Sequence, residues 1–141
     1  KTMTKRPDPH PQDVMDILKN KSPETRIAVV GASNNPEKYG NIIVRNLKQK
    51  NYGVLPVNPK EDEIEGLPVY HALDEIDQPV DIVTFVTPPK VTRKMLEAMA
   101  ATGLKNAWLQ EGSYDDEVLD FVTEAPFKTV YDACIMVVSN Y

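Results

Sequence analysis

The residues best suited to chemistry occupy one short loop between an apolar run and an amphipathic run. Its small, cationic and aromatic members are Gly31, Ala32, Ser33, Lys38, Tyr39 and Gly40. Small residues let a backbone approach a phosphate closely. A helix that begins after such a loop directs free N–H groups and the positive end of its dipole at the same point. The spacing therefore predicts an anion or nucleotide site at residues 31–40.

A strand and a helix must hold this loop in place. Four consecutive apolar residues end in a small-residue turn, which predicts a fully buried strand over 26–31. A helix over 40–50 is predicted by apolar residues at helical spacing, which are Ile42, Ile43, Val44 and Leu47. The expected unit is a strand, a phosphate-sized loop and a helix.

Strands and helices alternate along the rest of the chain. Further strands are predicted over 53–57, 80–86, 106–110 and 127–131, and further helices over 90–102 and 114–124, with a single turn at 73–76 and a last apolar piece at 135–138. Such alternation is typical of βαβ units with right-handed crossovers. We therefore expect an α/β fold, in which a doubly wound, mainly parallel sheet of about five strands carries helices on both faces.

The N-terminal part differs in composition from this pattern. Prolines among polar residues predict an extended arm over 1–11, and apolar spacing predicts a short amphipathic helix near 11–20. We therefore divide the chain into the arm with its helix at 1–23 and a single domain at 24–141. The acid-rich segment 60–70 is expected to be an exposed excursion.

The composition is ordinary for one globular domain, with 141 residues of which 41% are apolar and 26% charged. The net charge of -5 argues against nonspecific binding to nucleic acid or to anionic membranes. No apolar run has the length of a membrane span, and no signal segment begins the chain. The single cysteine excludes an internal disulfide, so we expect a cytoplasmic protein.

Unusual residues follow four of the predicted strands. They are Gly31-Ala32-Ser33, Asn58-Pro59, Thr87-Pro88-Pro89 and Gln110-Glu111-Gly112. Ligands of doubly wound sheets bind beyond the carboxyl ends of the strands, at the switch in strand order. The four segments therefore predict one shared binding rim.

The loop departs from two common nucleotide signatures. A dinucleotide fingerprint has the form G-x-G-x-x-G, with an acid at the end of the next strand. Here the loop from Gly31 to Gly40 is longer and contains a lysine, and the next strand is followed by Asn58-Pro59-Lys60. A lysine at that position suits an additional phosphate better than a ribose diol. NAD is thus disfavoured, and the absence of a Walker lysine–serine pair argues against a P-loop.

Several motifs in order and spacing resemble the CoA-binding domain family, which is similar to the CoA-binding domain of the succinyl-CoA synthetase alpha subunit. They are Gly31-Ala32-Ser33 with Lys38 and Gly40, Pro56-Val57-Asn58-Pro59, Val86-Thr87-Pro88-Pro89 and Trp108-Leu109-Gln110. The resemblance covers residues 24–138. It implies a Rossmann-like fold that binds coenzyme A.

The same resemblance implies a role for each matching segment. The loop would meet the CoA phosphates through Ala32, Ser33 and Lys38, and the segment 58–60 would lie by the adenosine 3′-phosphate. The segment 86–89 would wall the adenine or pantetheine groove, and Gln110 would line the rim near the pantetheine. The predicted coenzyme site consists of Gly31, Ala32, Ser33, Lys38, Tyr39, Gly40, Asn58, Pro59, Lys60, Val86, Pro88, Pro89 and Gln110.

We expect a stand-alone, non-catalytic module that binds CoA or a short acyl-CoA. The resembling synthetase carries a phosphorylated histidine on a second domain, for which this chain ends too early, and neither His10 nor His71 replaces it. No nucleophile–base pair and no metal-spaced cluster is evident. Two alternatives remain: a nucleotide-dependent enzyme acting on acyl-CoA or NAD(P), and a CoA-responsive protein that docks to a partner.

Three further residue groups have simpler structural interpretations. Trp108 is expected in the core, and the acids at 115–117 are expected to stabilise the start of a helix. Cys134 is interpreted as a small, buried apolar side chain. The alternative for Cys134 is a thiol at the rim that forms a mixed disulfide with the CoA thiol.

Overall fold

A five-stranded parallel sheet forms the centre of the computed structural model, which describes residues 5–141. The strands are β1 (Arg26–Val30), β2 (Gly53–Val57), β3 (Glu63–Ile64), β4 (Leu67–Pro68), β5 (Ile82–Phe85), β6 (Asn106–Leu109) and β7 (Lys128–Val130). The helices are α1 (Gln12–Ile17), α2 (Tyr39–Gln49), α3 (Pro89–Ala100), α4 (Asp116–Thr123) and α5 (Ile135–Val138), and a 3₁₀ turn spans Leu73–Glu75. Within the described residues, none of these helices is long and apolar enough to cross a membrane.

The strand order places the switch point at β1. The main sheet runs β2-β1-β5-β6-β7, and every neighbouring pair in it is parallel. The chain moves from β1 to one neighbour, β2, and later returns to the other neighbour, β5. The direction of winding therefore reverses at β1, and a crevice opens above the carboxyl ends of β1 and β5. This confirms the predicted Rossmann-like, doubly wound α/β fold.

The two faces of the sheet carry two separate apolar layers. Alternate residues of β1 point to opposite faces, so Ile27 and Val29 pack in the layer of α1, α2 and α5. Ala28 and Val30 pack in the layer of α3 and α4. Side chains of β1 from Ile27 onward are at most 3% exposed. Trp108 is fully buried, as predicted, and packs in the first layer.

Two segments differ from the sequence-based expectation. The acid-rich segment 60–70 is not a wholly exposed excursion, because it forms the β3–β4 hairpin and buries Ile64 completely. The predicted arm begins in residues 1–4, which lie outside the described residues. The helix predicted near 11–20 is shorter, and its Val14 and Leu18 are buried in the same layer as β1 and α2.

Candidate functional site

Two glycines allow the start of α2 to pack closely against the end of β1. Gly31 has φ +96, and a Cβ there would lie 2.8 Å from Val86 Cγ2. A Cβ on Gly40 would lie 2.0 Å from the carbonyl oxygen of Gly31. No real side chain tolerates that second distance, so the first turn of α2 sits directly on the loop. The backbone N–H groups of that turn are thereby brought to the carboxyl edge of the sheet.

Hydrogen bonds within the loop hold its shape. Ser33 Oγ accepts from the N–H of Asn35 at 3.0 Å, and Asn35 Oδ1 accepts from the N–H of Glu37 at 3.0 Å. Asn41, whose side chain is fully buried, donates from Nδ2 to the Ser33 carbonyl at 2.9 Å. Because the serine hydroxyl accepts here, its own O–H remains available to a ligand. The sequence analysis did not single out Asn41. The signal that could have identified it is a polar residue directly before the apolar residues of the predicted helix.

The helices on either side of the crevice have open N-termini. Lys38 precedes α2 without a side-chain cap, Pro88 precedes α3 in the same way, and neither helix has an acid in its first turn. The next helix, α4, is different: Asp115 accepts from the N–H of Val118 at 2.9 Å, and further acids follow it. This confirms that the acids at 115–117 stabilise a helix start. An anion is therefore favoured at α2 and α3 rather than at α4.

Two lysines beside the crevice remain unpaired. Lys38 and Lys60 are exposed, and neither forms an ion pair with any of residues 5–141. Glu61, which directly follows Lys60 in the sequence, accepts from Asn34 Nδ2 at 2.8 Å. Both ammonium groups are consequently free to neutralise a bound anion.

The ends of β2 and β5 close the crevice on two sides. Asn58 Nδ2 donates to the Ala32 carbonyl at 2.8 Å, which ties the segment after β2 to the loop after β1. On the other side Val86 is half-buried against Gly31, and the exposed Pro88 precedes α3. Pro89 occupies the first position of α3, where proline is tolerated, and Pro59 follows Asn58 at the surface. The predicted segments 31–40, 58–60 and 86–89 thus share one rim.

Two exposed apolar side chains lie at the same rim. Tyr39 is 38% exposed in the first turn of α2, and Val91 is 43% exposed in the first turn of α3. Apolar side chains beside open N–H groups suit a ligand that combines an anionic group with an organic one.

Gln110 links the rim to Cys134. Its side chain is fully buried, and its Nε2 donates to Tyr39 Oη at 3.0 Å and to Cys134 Sγ at 3.4 Å. Its Oε1 accepts from the N–H of Ile135 at 2.8 Å, and Tyr39 Oη lies 3.3 Å from Cys134 Sγ. The interpretation of Cys134 as a buried apolar side chain is therefore wrong. The thiol is half-buried and held by polar groups that lie far away in sequence.

The polar contacts bias the protonation states of this cluster. Burial opposes ionisation of Cys134, but hydrogen bonds from Tyr39 and Gln110, with the backbone amides of Val137 and Met136, lower the pKa of the thiol overall. Burial and the contact with the sulfur raise the pKa of Tyr39 to about 12. The phenol therefore stays protonated at neutral pH, and its O–H is able to donate to the sulfur.

The thiol borders a cavity of about 300 Å³. Its lining also includes Tyr39, Gln110, Glu111, Tyr114 and Asp132. The acids Glu111 and Asp132 are exposed, so solvent screens their charge. The cavity is continuous with the start of α2 through Tyr39, the residue that follows Lys38.

A larger groove of about 690 Å³ lies elsewhere, between the segment 71–80 and α3. Its apolar lining includes Leu73, Val80 and Met95. It contains none of the predicted site residues and no lysine or arginine. Phosphate groups are therefore better accommodated at the rim, beside Lys38 and Lys60.

Known proteins of similar size match nearly the whole chain. The protein YneT of Bacillus subtilis is 29% identical over 130 residues, which span 92% of this chain and 94% of that protein. A conserved hypothetical protein of known structure from Pyrococcus furiosus is 44% identical, with a TM-score of 0.77 over 80% of this chain and 97% of that one.

A larger enzyme contains a similar segment. The ADP-forming acetate–CoA ligase of Methanocaldococcus jannaschii is 33% identical over 104 residues, which are 74% of this chain and 15% of that enzyme. This chain therefore spans only a small part of the ligase. The sequence profile described as "CoA binding domain" matches residues 25–140. As the resemblance predicted, the chain belongs to the CoA-binding domain family.

Proposed function

We propose that this protein binds coenzyme A or a short acyl-CoA across the carboxyl ends of β1, β2 and β5, as a module without catalytic activity of its own. The observation that carries this proposal is the uncapped start of α2, pressed onto Gly31 and flanked by the unpaired Lys38. Membership of the CoA-binding domain family supports CoA as the ligand.

The loop would bind the pyrophosphate of CoA. The backbone N–H groups at the start of α2 and the Ser33 hydroxyl supply donors, and Lys38 supplies a positive charge. Because Ser33, Asn35 and Asn41 already hold the loop in shape, little conformational entropy is lost on binding.

The rest of the coenzyme would follow the rim in both directions. On the β2 side, Asn58, Pro59 and Lys60 are proposed to meet the adenosine 3′-phosphate, with Lys60 as the charged partner. On the β5 side, Val86 with the prolines 88–89 would form the apolar wall of the groove. The half-buried Val86 and the exposed Pro88 leave apolar surface available there.

Removing the charge of Lys60 should weaken CoA binding only when the 3′-phosphate is present. We expect Lys60→Ala to bind CoA about fivefold more weakly, because an exposed charge pair contributes up to about 1 kcal/mol. Its affinity for 3′-dephospho-CoA should equal that of the unmodified protein. Calorimetric titration of both proteins with both ligands completes the thermodynamic cycle.

Lys105→Ala is the matched control. Lys105 is exposed and directly precedes β6, so it lies at the amino ends of the strands, opposite the proposed site. It should leave the affinity for both ligands unchanged. If Lys60→Ala lost affinity equally for CoA and for 3′-dephospho-CoA, the result would show that Lys60 does not bind the 3′-phosphate. Preference for NAD over CoA, or no binding of CoA, would refute the proposed function itself.

A CoA-dependent enzyme is the second candidate, favoured by the similarity to the acetate–CoA ligase. The rim would then serve as the CoA-binding part of a reaction whose other groups lie outside it. Turnover of acetyl-CoA by the purified protein with ADP and phosphate would support this candidate over the module.

A further inference from the structure

The cluster of Tyr39, Gln110 and Cys134 is not needed to explain the binding of phosphates. A fully buried glutamine directs one end of its amide to a thiol and a phenol and the other end to the backbone of α5. Burying an amide is unfavourable unless all its groups are hydrogen-bonded. Here the bonds that satisfy Gln110 also fix the position of the sulfur.

The segment before the sulfur is fixed as well. Ala133 accepts a hydrogen bond at 2.8 Å from the indole of the fully buried Trp108. His10 contacts the carbonyl of Asp132 at 3.1 Å, and Tyr131 donates its N–H to Pro9 at 3.1 Å. The thiol is thereby held at the edge of the 300 Å³ cavity without being closed off from solvent.

The position of the thiol relates it to the proposed coenzyme site. Its nearest phenol belongs to Tyr39, which directly follows Lys38 and forms the first residue of α2. A ligand whose phosphates lie at α2 and whose flexible arm ends in a thiol can therefore place that thiol in the cavity. Coenzyme A has this construction.

We propose that Cys134 forms a mixed disulfide with the coenzyme at this rim, by exchange with the disulfide form of CoA. This inference rests on the proposed function. The Cys134 thiolate attacks one sulfur of CoA disulfide, a new S–S bond forms, and the original S–S bond breaks. One CoA leaves as a thiolate and takes a proton from water, so Cys134 is oxidised and the departing sulfur is reduced.

Tyr39 has a positioning role in this exchange. Its O–H donates to the attacking thiolate and orients it towards the cavity. Loss of the donor would raise the pKa of Cys134 and so reduce the thiolate fraction at neutral pH. A thiol of higher pKa is also intrinsically more nucleophilic, and this offsets part of the loss.

Intact-protein mass spectrometry tests the proposal. The protein is incubated with CoA disulfide without reductant, and the expected result is one adduct with the mass of CoA less two hydrogen atoms, removable by dithiothreitol. The chain has a single cysteine, so the adduct identifies its own site. Glutathione disulfide at equal concentration should react at least about tenfold more slowly, because it lacks the groups that the rim binds.

The variant Tyr39→Phe should form the adduct about threefold more slowly at pH 7, because loss of the donor lowers the thiolate fraction more than it raises the nucleophilicity of the thiolate. The difference should shrink as the pH rises above the pKa of the variant's thiol. Tyr70→Phe is the matched control, because the Tyr70 hydroxyl contacts Asp77 and Gln78 away from the cavity. It should react at the rate of the unmodified protein.

A parallel titration with CoA in the presence of reductant separates the two claims. Reversible binding of CoA, with no adduct from CoA disulfide or equal rates for both disulfides, would overturn the mixed-disulfide proposal and leave the binding function intact. Absence of binding and of adduct would overturn both. An unchanged rate in Tyr39→Phe across the pH range would remove the positioning role of Tyr39.

Discussion

Replacing Gly40 by alanine is expected to lower the free energy of unfolding by about 3 kcal/mol and to abolish measurable CoA binding. The added Cβ would lie 2.0 Å from the Gly31 carbonyl oxygen, so α2 must move away from the loop. Glycine to alanine inside a helix ordinarily stabilises a protein by about 0.5–1 kcal/mol. A decrease in the free energy of unfolding, in place of this ordinary increase, therefore reports the close approach of α2 to the loop. Urea unfolding and calorimetric titration measure the two effects.

Gly103→Ala provides the control. Gly103 has φ +80, and a Cβ there would meet nothing within 4 Å. The substitution should cost about 1 kcal/mol through backbone strain alone and leave CoA binding unchanged. A Gly40→Ala variant as stable as the unmodified protein would contradict the tight packing of α2 on the loop.

Replacing Lys38 by alanine is expected to weaken CoA binding at least about tenfold with little change in stability. A hydrogen bond to a charged group contributes about 1.5–3 kcal/mol, whereas the exposed Lys38 forms no ion pair within the described residues. The loss should be similar for CoA and 3′-dephospho-CoA, because both carry the pyrophosphate. Calorimetry at two salt concentrations should also give a smaller salt dependence for the variant.

The matched control for this substitution is again Lys105→Ala, at the amino edge of the sheet. Unchanged CoA affinity in Lys38→Ala would exclude its ammonium group from the phosphate site. A loss confined to CoA, with 3′-dephospho-CoA unaffected, would instead assign Lys38 to the 3′-phosphate.

The main sheet was predictable because its strands are continuous apolar runs that end in small or proline-containing turns. The strand predicted over 26–31 is observed as Arg26–Val30, and its neighbours lie in the expected segments. Strand ends that align at one edge also placed the loop 31–40 beside 58–60 and 86–89. Local sequence patterns were sufficient to locate these three segments, because each one directly follows a strand that the pattern predicts.

The β3–β4 hairpin was not predictable from charge and hydropathy. Its turn places Glu65 at φ 51 and Gly66 at φ 76, the combination that a two-residue hairpin turn requires. A glutamate rarely adopts this conformation, and the surrounding acids indicate solvent exposure. The buried Ile64 is the single apolar residue within the acidic stretch 61–65, and one apolar residue is too short a signal to predict a strand.

The contacts among Tyr39, Gln110 and Cys134 were missed for a different reason, although the first two were predicted site residues and a rim thiol was the alternative for Cys134. Tyr39 and Cys134 are 95 residues apart, and Gln110 lies between them in sequence. Their contact depends on the crossover connections that place α2 and α5 on the same face of the sheet. Residue types alone gave Cys134 the properties of a small apolar side chain, whereas the fold surrounds it with hydrogen-bond donors.

The most direct test of the proposed coenzyme site is an NMR titration of the isotope-labelled protein with CoA, followed through the backbone amides. We expect the largest shift changes at residues 31–40, with smaller ones at 58–60 and 86–91, and none at the amino ends of β6 and β7. Changes centred on the groove between the segment 71–80 and α3, or no changes at saturating CoA, would contradict a coenzyme site at the carboxyl ends of β1, β2 and β5.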